Sequence, residues 1–371
     1  MSRRITLNHL LFDAHLHLRD GQMLGTVAPL AAKKFWAGII MPNLVPPVVT
    51  AQDAVNYQTR IRKALGDESF EPYMTLYLTD NTDPDDVARA YESGIAVAVK
   101  KYPLHGTTNS ASAVTDLSKV TDVLQVMSEI GMPLCIHGEE VVLDGEPINH
   151  LKREPFYVAG ELCDIVDDFP NLRVSLEHIS TKEAAELIGK YGSSKLVATV
   201  TPQHLVTHIG RTMYTSDGAY MPCAKDIEDM MALRELIASG CEWIHLGTDC
   251  APHSEAKKEA VHCACGAFTA LNAVELYLEA LSEANALHLF EEFACLRGPR
   301  FFGIEPQPGT MVYKQQEWQI EDFVTSYGPN SAGEDFNIRP FGFRTTTEEA
   351  AHMGVNRTMT WRQSAPTFQA G

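Results

Sequence analysis

Six side chains fall where they could share one piece of chemistry. His15 and His17 sit two residues apart in Asp13-Ala-His-Leu-His-Leu-Arg19, within an apolar run. Strand side chains alternate between faces, so both imidazoles point the same way, and Arg19 continues on that face. Lys100, His137, His178 and Asp249 each close a further run of strand-like composition. Imidazole and carboxylate groups are ligands for a divalent metal or acids and bases for proton transfer. With no thiolate among them, the set suits zinc, with cobalt or manganese as substitutes. Taken singly, a His at a strand end is usually a satisfied structural residue, a lone Lys a solvated charge and an Asp after a strand a helix cap. The inference rests on their joint placement, and on a fold that brings strand ends together. His262-Cys263-Ala264-Cys265 is weaker: it lacks a fourth ligand and reads as a loop thiol pair.

The elements that must position these groups recur along the chain. Strands are predicted at Leu11–Leu18, Gly38–Asn43, Tyr73–Leu78, Ile95–Tyr102, Pro133–His137, Arg173–His178, Lys195–Val200 and Glu242–Asp249. Helices are predicted between them at Ala51–Leu65, Asp83–Glu92, Asp116–Ile130, Thr181–Tyr191 and Asp226–Ala238, then at Ala267–Ala284 and His288–Leu296. Asp83 before Pro84 and Thr181 before Lys182-Glu183 are plausible caps. Eight strands separated by helices imply an α/β fold, a (β/α)8 TIM barrel, with a doubly wound open sheet as the runner-up. In a barrel the candidate ligands meet at the C-terminal mouth, where barrel enzymes build their sites. Residues 1–305 form the barrel unit, and 306–371, punctuated by Pro and Gly, an irregular C-terminal extension packed on it.

Composition removes several classes. The 371 residues are 45% hydrophobic and 21% charged, with a net charge of −18. That balance argues against nucleic-acid and anionic-membrane surfaces, which need clustered Lys and Arg. Arg3, Arg4, Asp13, Arg19 and Asp20 interrupt any signal-peptide core, and no apolar run is long enough to span a membrane. Eight cysteines are too sparse for a disulfide scaffold, so a cytoplasmic location is expected.

In context these residues resemble the amidohydrolase superfamily, and within it the dihydroorotases of the single-function bacterial and fungal type (class II). The matching text is Asp13–Arg19, Met41-Pro-Asn43, Lys100-Lys-Tyr-Pro103, Thr107-Thr-Asn109, Ile136-His-Gly138, Glu177-His178 and Leu246-Gly-Thr-Asp-Cys-Ala-Pro-His253. The resemblance implies two zinc ions per subunit. His15, His17 and Asp249 would hold the more buried one, His137 and His178 the second, and Lys100, carboxylated by CO2 to a carbamate, would bridge them. A plain Lys is a cation and cannot ligate, whereas its carbamate is a carboxylate on a long stem. Lys101 departs from the family's usual apolar residue; only one of two strand neighbours can enter the barrel, and the spacing Lys-x-Tyr-Pro selects Lys100.

The resemblance further implies reversible interconversion of L-dihydroorotate plus water with N-carbamoyl-L-aspartate, a step of pyrimidine biosynthesis, with Asp249 as general base and then acid. Arg19, Asn43 and His253 would grip the substrate carboxylate, Met221 and Cys265 would contact the ring through their backbones, and Thr107 and Thr108 would lie in a loop closing over it. The partner is thus a small molecule, and the family suggests a homodimer. Two divalent ions and Arg19 would make the pocket locally attractive to an anion despite the acidic surface. Alternatives are a hydantoinase, dihydropyrimidinase or allantoinase type of cyclic-amide hydrolase, which needs no carboxylate clamp, a phosphoesterase built on the His15/His17 pair, and a non-catalytic scaffold, which should lack ligands. His204, after the seventh strand, has no assigned role.

Overall fold

A computed structural model describes residues 3–212, 215–328, 334–342 and 358–364. Eight parallel strands follow one another around a nearly closed barrel. Barrel strands 1 to 8 are Phe12–Leu16, Ala37–Ile40, Glu71–Tyr77, Ala96–Lys101, Leu134–His137, Val174–Glu177, Leu196–Val200 and Ile244–Leu246. Most of their residues are buried, as expected when helices cover a parallel sheet outside and side chains fill it inside.

Strand 8 is shorter than its apolar run. From Gly247 the chain leaves the strand and closes the barrel as a loop: Asp249 N–H donates to His15 O at 2.8 Å, and His17 N–H to Cys250 O at 3.0 Å. Leu16 and Cys250 form an isolated parallel bridge at the same seam. The C-terminal end of strand 1 is therefore hydrogen-bonded directly to the segment that carries Asp249.

The helix Ala51–Leu65 forms where its sequence places it, with Thr50 and Asp53 making a reciprocal capping box. Asp83 caps Pro84–Glu92 and Thr181 caps Lys182–Tyr191. The helix expected from Ala267 begins only at Ala273, because Ala267 O accepts from Ala251 N–H at 2.8 Å and that backbone is committed to the barrel mouth. Gly21–Ala32, Arg153–Ala159 and Glu161–Asp168 are additional helices.

Part of the segment after residue 305 is regular. Pro308–Gln319 pairs antiparallel with both Arg4–His9 and Thr358–Gln363, so one three-stranded sheet draws on both sides of the 305/306 division. Its alternation survives the Pro and Gly punctuation: Met311, Tyr313, Met359 and Trp361 are buried. Thr360 donates twice to Glu279 Oε1 at 2.7 Å, fastening the sheet to the helix Ala273–Glu283.

Candidate metal centre

His15 and His17 are enclosed at the end of barrel strand 1. The His15 Nδ1–H donates to Glu177 Oε2 at 2.6 Å, since a carboxylate only accepts. The His17 Nδ1–H donates to Asn43 Oδ1 at 2.8 Å, while the Asn43 amide nitrogen donates to Thr108 O at 3.0 Å. Both Nε2 lone pairs are thereby left facing Asp249 Oδ1, at 3.4 and 2.9 Å. Acceptors facing each other require a proton or a cation between them. Burial keeps a proton off the imidazoles, drawing His15 down to about 4 and His17 well below the ordinary imidazole range. It pushes Asp249 above the ordinary carboxylate range, so a proton here would sit on the carboxyl. A divalent cation fits: the ligand atoms of His15, His17 and Asp249 lie within 4.8 Å of one another.

The remaining candidates lie beside this cluster. The His178 ring stands 5.0 Å from that of His15 and 4.4 Å from that of His137. His178 Nδ1 is buried without a hydrogen-bond partner. His137 Nε2–H donates to Glu139 Oε2 at 2.8 Å, which leaves Nδ1 as its lone pair. Lys100 is fully buried, and its Nζ has no hydrogen-bond partner. Burial lowers its pKa, favouring the neutral amine that can react with CO2. Lys101 faces the other way and pairs with Glu161 at 2.5 Å. Strand alternation has separated the two lysines, with Lys100 on the inside.

Backbone strain turns inward one ligand, His178, that alternation would have sent outward. His178 and Asp249 both have φ of 45°, and Arg19 has 59°, in the left-handed region that such residues rarely occupy. Glu177 and His178 are adjacent, yet the kink lets Glu177 hold His15 while His178 packs on the same ring.

A narrow pocket of about 20 Å³ sits over these groups, and its lining includes His15, His17, His137, His178 and Asp249. Arg19, Asn43, Thr107, Thr108, Met221 and Cys265 complete most of its wall. Lys100 lies buried outside that lining, and His253 reaches the pocket through its contacts with Arg19 and Cys265 O. The Arg19 guanidinium is fixed by Nε–H donating to Pro252 O at 3.2 Å and by Nη2, 3.1 Å from His253 Nε2. Its Nη1 is buried and unpartnered. Burial first, then the Arg19 charge, pushes His253 down to about 2, so its ring is neutral, with Nε2 between Arg19 Nη2 and Cys265 O, each at 3.1 Å. Asn43 is more committed than a free substrate ligand, because it joins His17 to the loop. Thr108 in turn donates to Cys265 O at 3.1 Å, so the loop lies across the mouth.

Glu177, Glu139, Asp13 and Tyr102 also serve the site, without a role assigned from sequence. Asp13 accepts from Thr248 N–H at 2.9 Å and His15 N–H at 3.1 Å, and burial raises its carboxyl to about 7. The available signal was proximity: each lies within two residues of a candidate ligand. His204 is satisfied by Thr201 Oγ1 at 2.6 Å and Pro222 O at 2.9 Å, as a structural histidine would be.

A family model described as the Amidohydrolase family matches residues 11–311. A dihydroorotase of Hahella chejuensis is 43% identical over 83% of this chain and 89% of its own length. One of Aromatoleum aromaticum is 44% identical over 83% of this chain and 90% of its own. Among solved structures, the Saccharomyces cerevisiae dihydroorotase in complex with 5-fluoroorotic acid superposes with a TM-score of 0.85 at 27% identity, covering 98% of both chains.

Proposed function

The chain belongs to the amidohydrolase family, within it to the dihydroorotases, and from that premise we propose that its barrel mouth interconverts L-dihydroorotate plus water with N-carbamoyl-L-aspartate in pyrimidine biosynthesis. The observation that carries this reading is a single pocket holding both the metal-ligand set and a buried, unpartnered Arg19 Nη1. A family of metal-dependent hydrolases and the His15/His17/Asp249 cluster support a metal enzyme. We assign two zinc ions, the first to His15, His17 and Asp249 and the second to His137 and His178, with a Lys100 carbamate between them. When bound, the ions would polarise the ring amide carbonyl and lower the pKa of the attacking water.

The chain's own residues then divide the remaining work. Arg19, held by Pro252 and His253, grips the substrate carboxylate and orients the ring amide over the ligand cluster. Asp249 accepts the water proton as the oxygen adds to the carbonyl carbon. It returns that proton to the ring nitrogen as the C–N bond breaks. In the cyclising direction Asp249 takes the carbamoyl nitrogen proton and water departs. The Thr107/Thr108 loop excludes bulk water, with the threonine hydroxyls near the developing charge. Backbone groups at Met221 and Cys265 flank the ring.

The same proposal includes a homodimer in a reducing, cytoplasmic setting, which the eight unpaired cysteines suit. Among the described residues no helix is long and apolar enough to cross a membrane. The deciding experiment measures metal content and turnover of dihydroorotate against dihydrouracil. Two metals per chain and a strong preference for dihydroorotate are expected. Equal turnover of the two would move the chain to the hydantoinase type, and protein that takes up no metal would make it a scaffold.

A further inference from the structure

The barrel has a second concave site at its other end. A cleft of about 780 Å³ is lined by Arg173, Lys195 and Trp243, the residues immediately before barrel strands 6, 7 and 8, and by Arg297, Arg300 and Phe301 from the segment that follows the barrel. The metal ligands come at the opposite, C-terminal ends of the strands.

Its charge is opposite in sign to the net charge of the chain. The chain carries −18, yet four cations line the cleft against Glu242 and Glu292. Glu292 is paired with Arg300 at 3.0 Å. Arg173, Lys195 and Arg297 have no carboxylate within ion-pair distance among the described residues. They are held instead by neutral acceptors: Arg173 by Gly131 O at 3.3 Å, Lys195 by Asn171 Oδ1 at 2.7 Å and Arg297 by Cys241 O at 2.6 Å. Three cations from separate segments are thus positioned without a direct ion pair, with Glu242 and Glu292 acting on Arg297 only from a longer range, a preorganised arrangement for an anion.

A second observation is independent of charge. His245 also lines the cleft, is only 1% exposed, and its Nε2 has no hydrogen-bond partner. Buried polar atoms in folded proteins are nearly always satisfied, so an orphan in a cleft wall points to a ligand group. Its ring stacks on Phe301 with centroids 6.0 Å apart, and Arg173 covers Phe301 at 4.7 Å. Half-buried Trp243 adds a flat apolar surface.

We propose that this cleft binds a small phosphorylated molecule carrying an unsaturated ring, of the nucleoside monophosphate class, at a site separate from the metal centre. Four cations against two carboxylates leave a net +2 in the cleft lining, which a phosphate dianion answers better than one carboxylate does. The half-buried Trp243 ring offers a face for an unsaturated ring, and the volume falls in the range of small-molecule sites.

The test uses the metal-loaded full chain, titrated with AMP, UMP, inorganic phosphate and uridine, followed by calorimetry and tryptophan fluorescence. At least one nucleotide should bind saturably, one molecule per chain, and more tightly than either inorganic phosphate or uridine. Arg173→Gln and Lys195→Gln should each weaken it about tenfold or more, the loss of one charge-assisted hydrogen bond. Lys195 is exposed, so its variant keeps the fold and the basal turnover, and Arg19→Met should leave nucleotide binding unchanged. The proposal is overturned by no saturable binding at millimolar concentration, or by inorganic phosphate binding as tightly as either nucleotide. It is equally overturned if Arg19→Met abolishes nucleotide binding while both cleft variants retain it.

Discussion

Replacing Arg19 by Met isolates the specificity argument from the metal chemistry. The methionine keeps an unbranched apolar stem but removes the guanidinium. In the structure Nε and one amino group are tied to Pro252 and His253, while Nη1 is buried and unpartnered. Two charge-assisted hydrogen bonds to the substrate carboxylate therefore become available without reorganising the side chain. Losing them leaves a carboxylate facing a thioether in a mostly buried pocket, at a cost of about 3 kcal/mol or more. At 1.4 kcal/mol per decade this is roughly a 150-fold fall in kcat/KM for dihydroorotate. Dihydrouracil has no carboxylate to lose, so its kcat/KM should change by less than about threefold. The assay is paired initial-rate measurement with both cyclic amides on protein of verified metal content. A matching fall for both substrates, with metal content intact, would refute the clamp and make Arg19 a structural residue.

Other perturbations separate the elements of the site. Lys100→Ala should lose metal and activity, with partial recovery on adding acetate, whereas Lys101→Ala should remain active; atomic absorption and turnover read both, and the reverse pattern would assign the bridge to Lys101. Glu177→Gln removes the anionic acceptor of the His15 Nδ1–H and should weaken metal binding about 10- to 100-fold in a chelator competition. Gly247→Ala would place a methyl 2.8 Å from the Thr199 side chain and 3.1 Å from His15 Cβ. That overpacking should cost about 1–3 kcal/mol in denaturant unfolding, and with Thr199 bonded to Glu177 and to His178 N–H it should also reduce metal retention. An unchanged midpoint would show that the seam yields more easily than its contacts imply.

Sequence alone determined what depends on near neighbours. Strand alternation put His15, His17 and Arg19 on one face and separated Lys100 from Lys101, while Asp83 and Thr181 marked their helix starts. These are properties of a few consecutive residues, and burial of both sheet faces leaves them visible as apolar runs. Tertiary structure alone decided what depends on closure. The Asp249 loop bonds to strand 1 across more than two hundred residues of chain. Asn43 is spent on His17 and Thr108, and Arg4–His9 pairs with Pro308–Gln319. The positive φ of His178 also overrides the alternation from which its direction would be read. No local pattern encodes such partners, because they are selected by which backbone and side-chain groups remain unsatisfied once the barrel has closed.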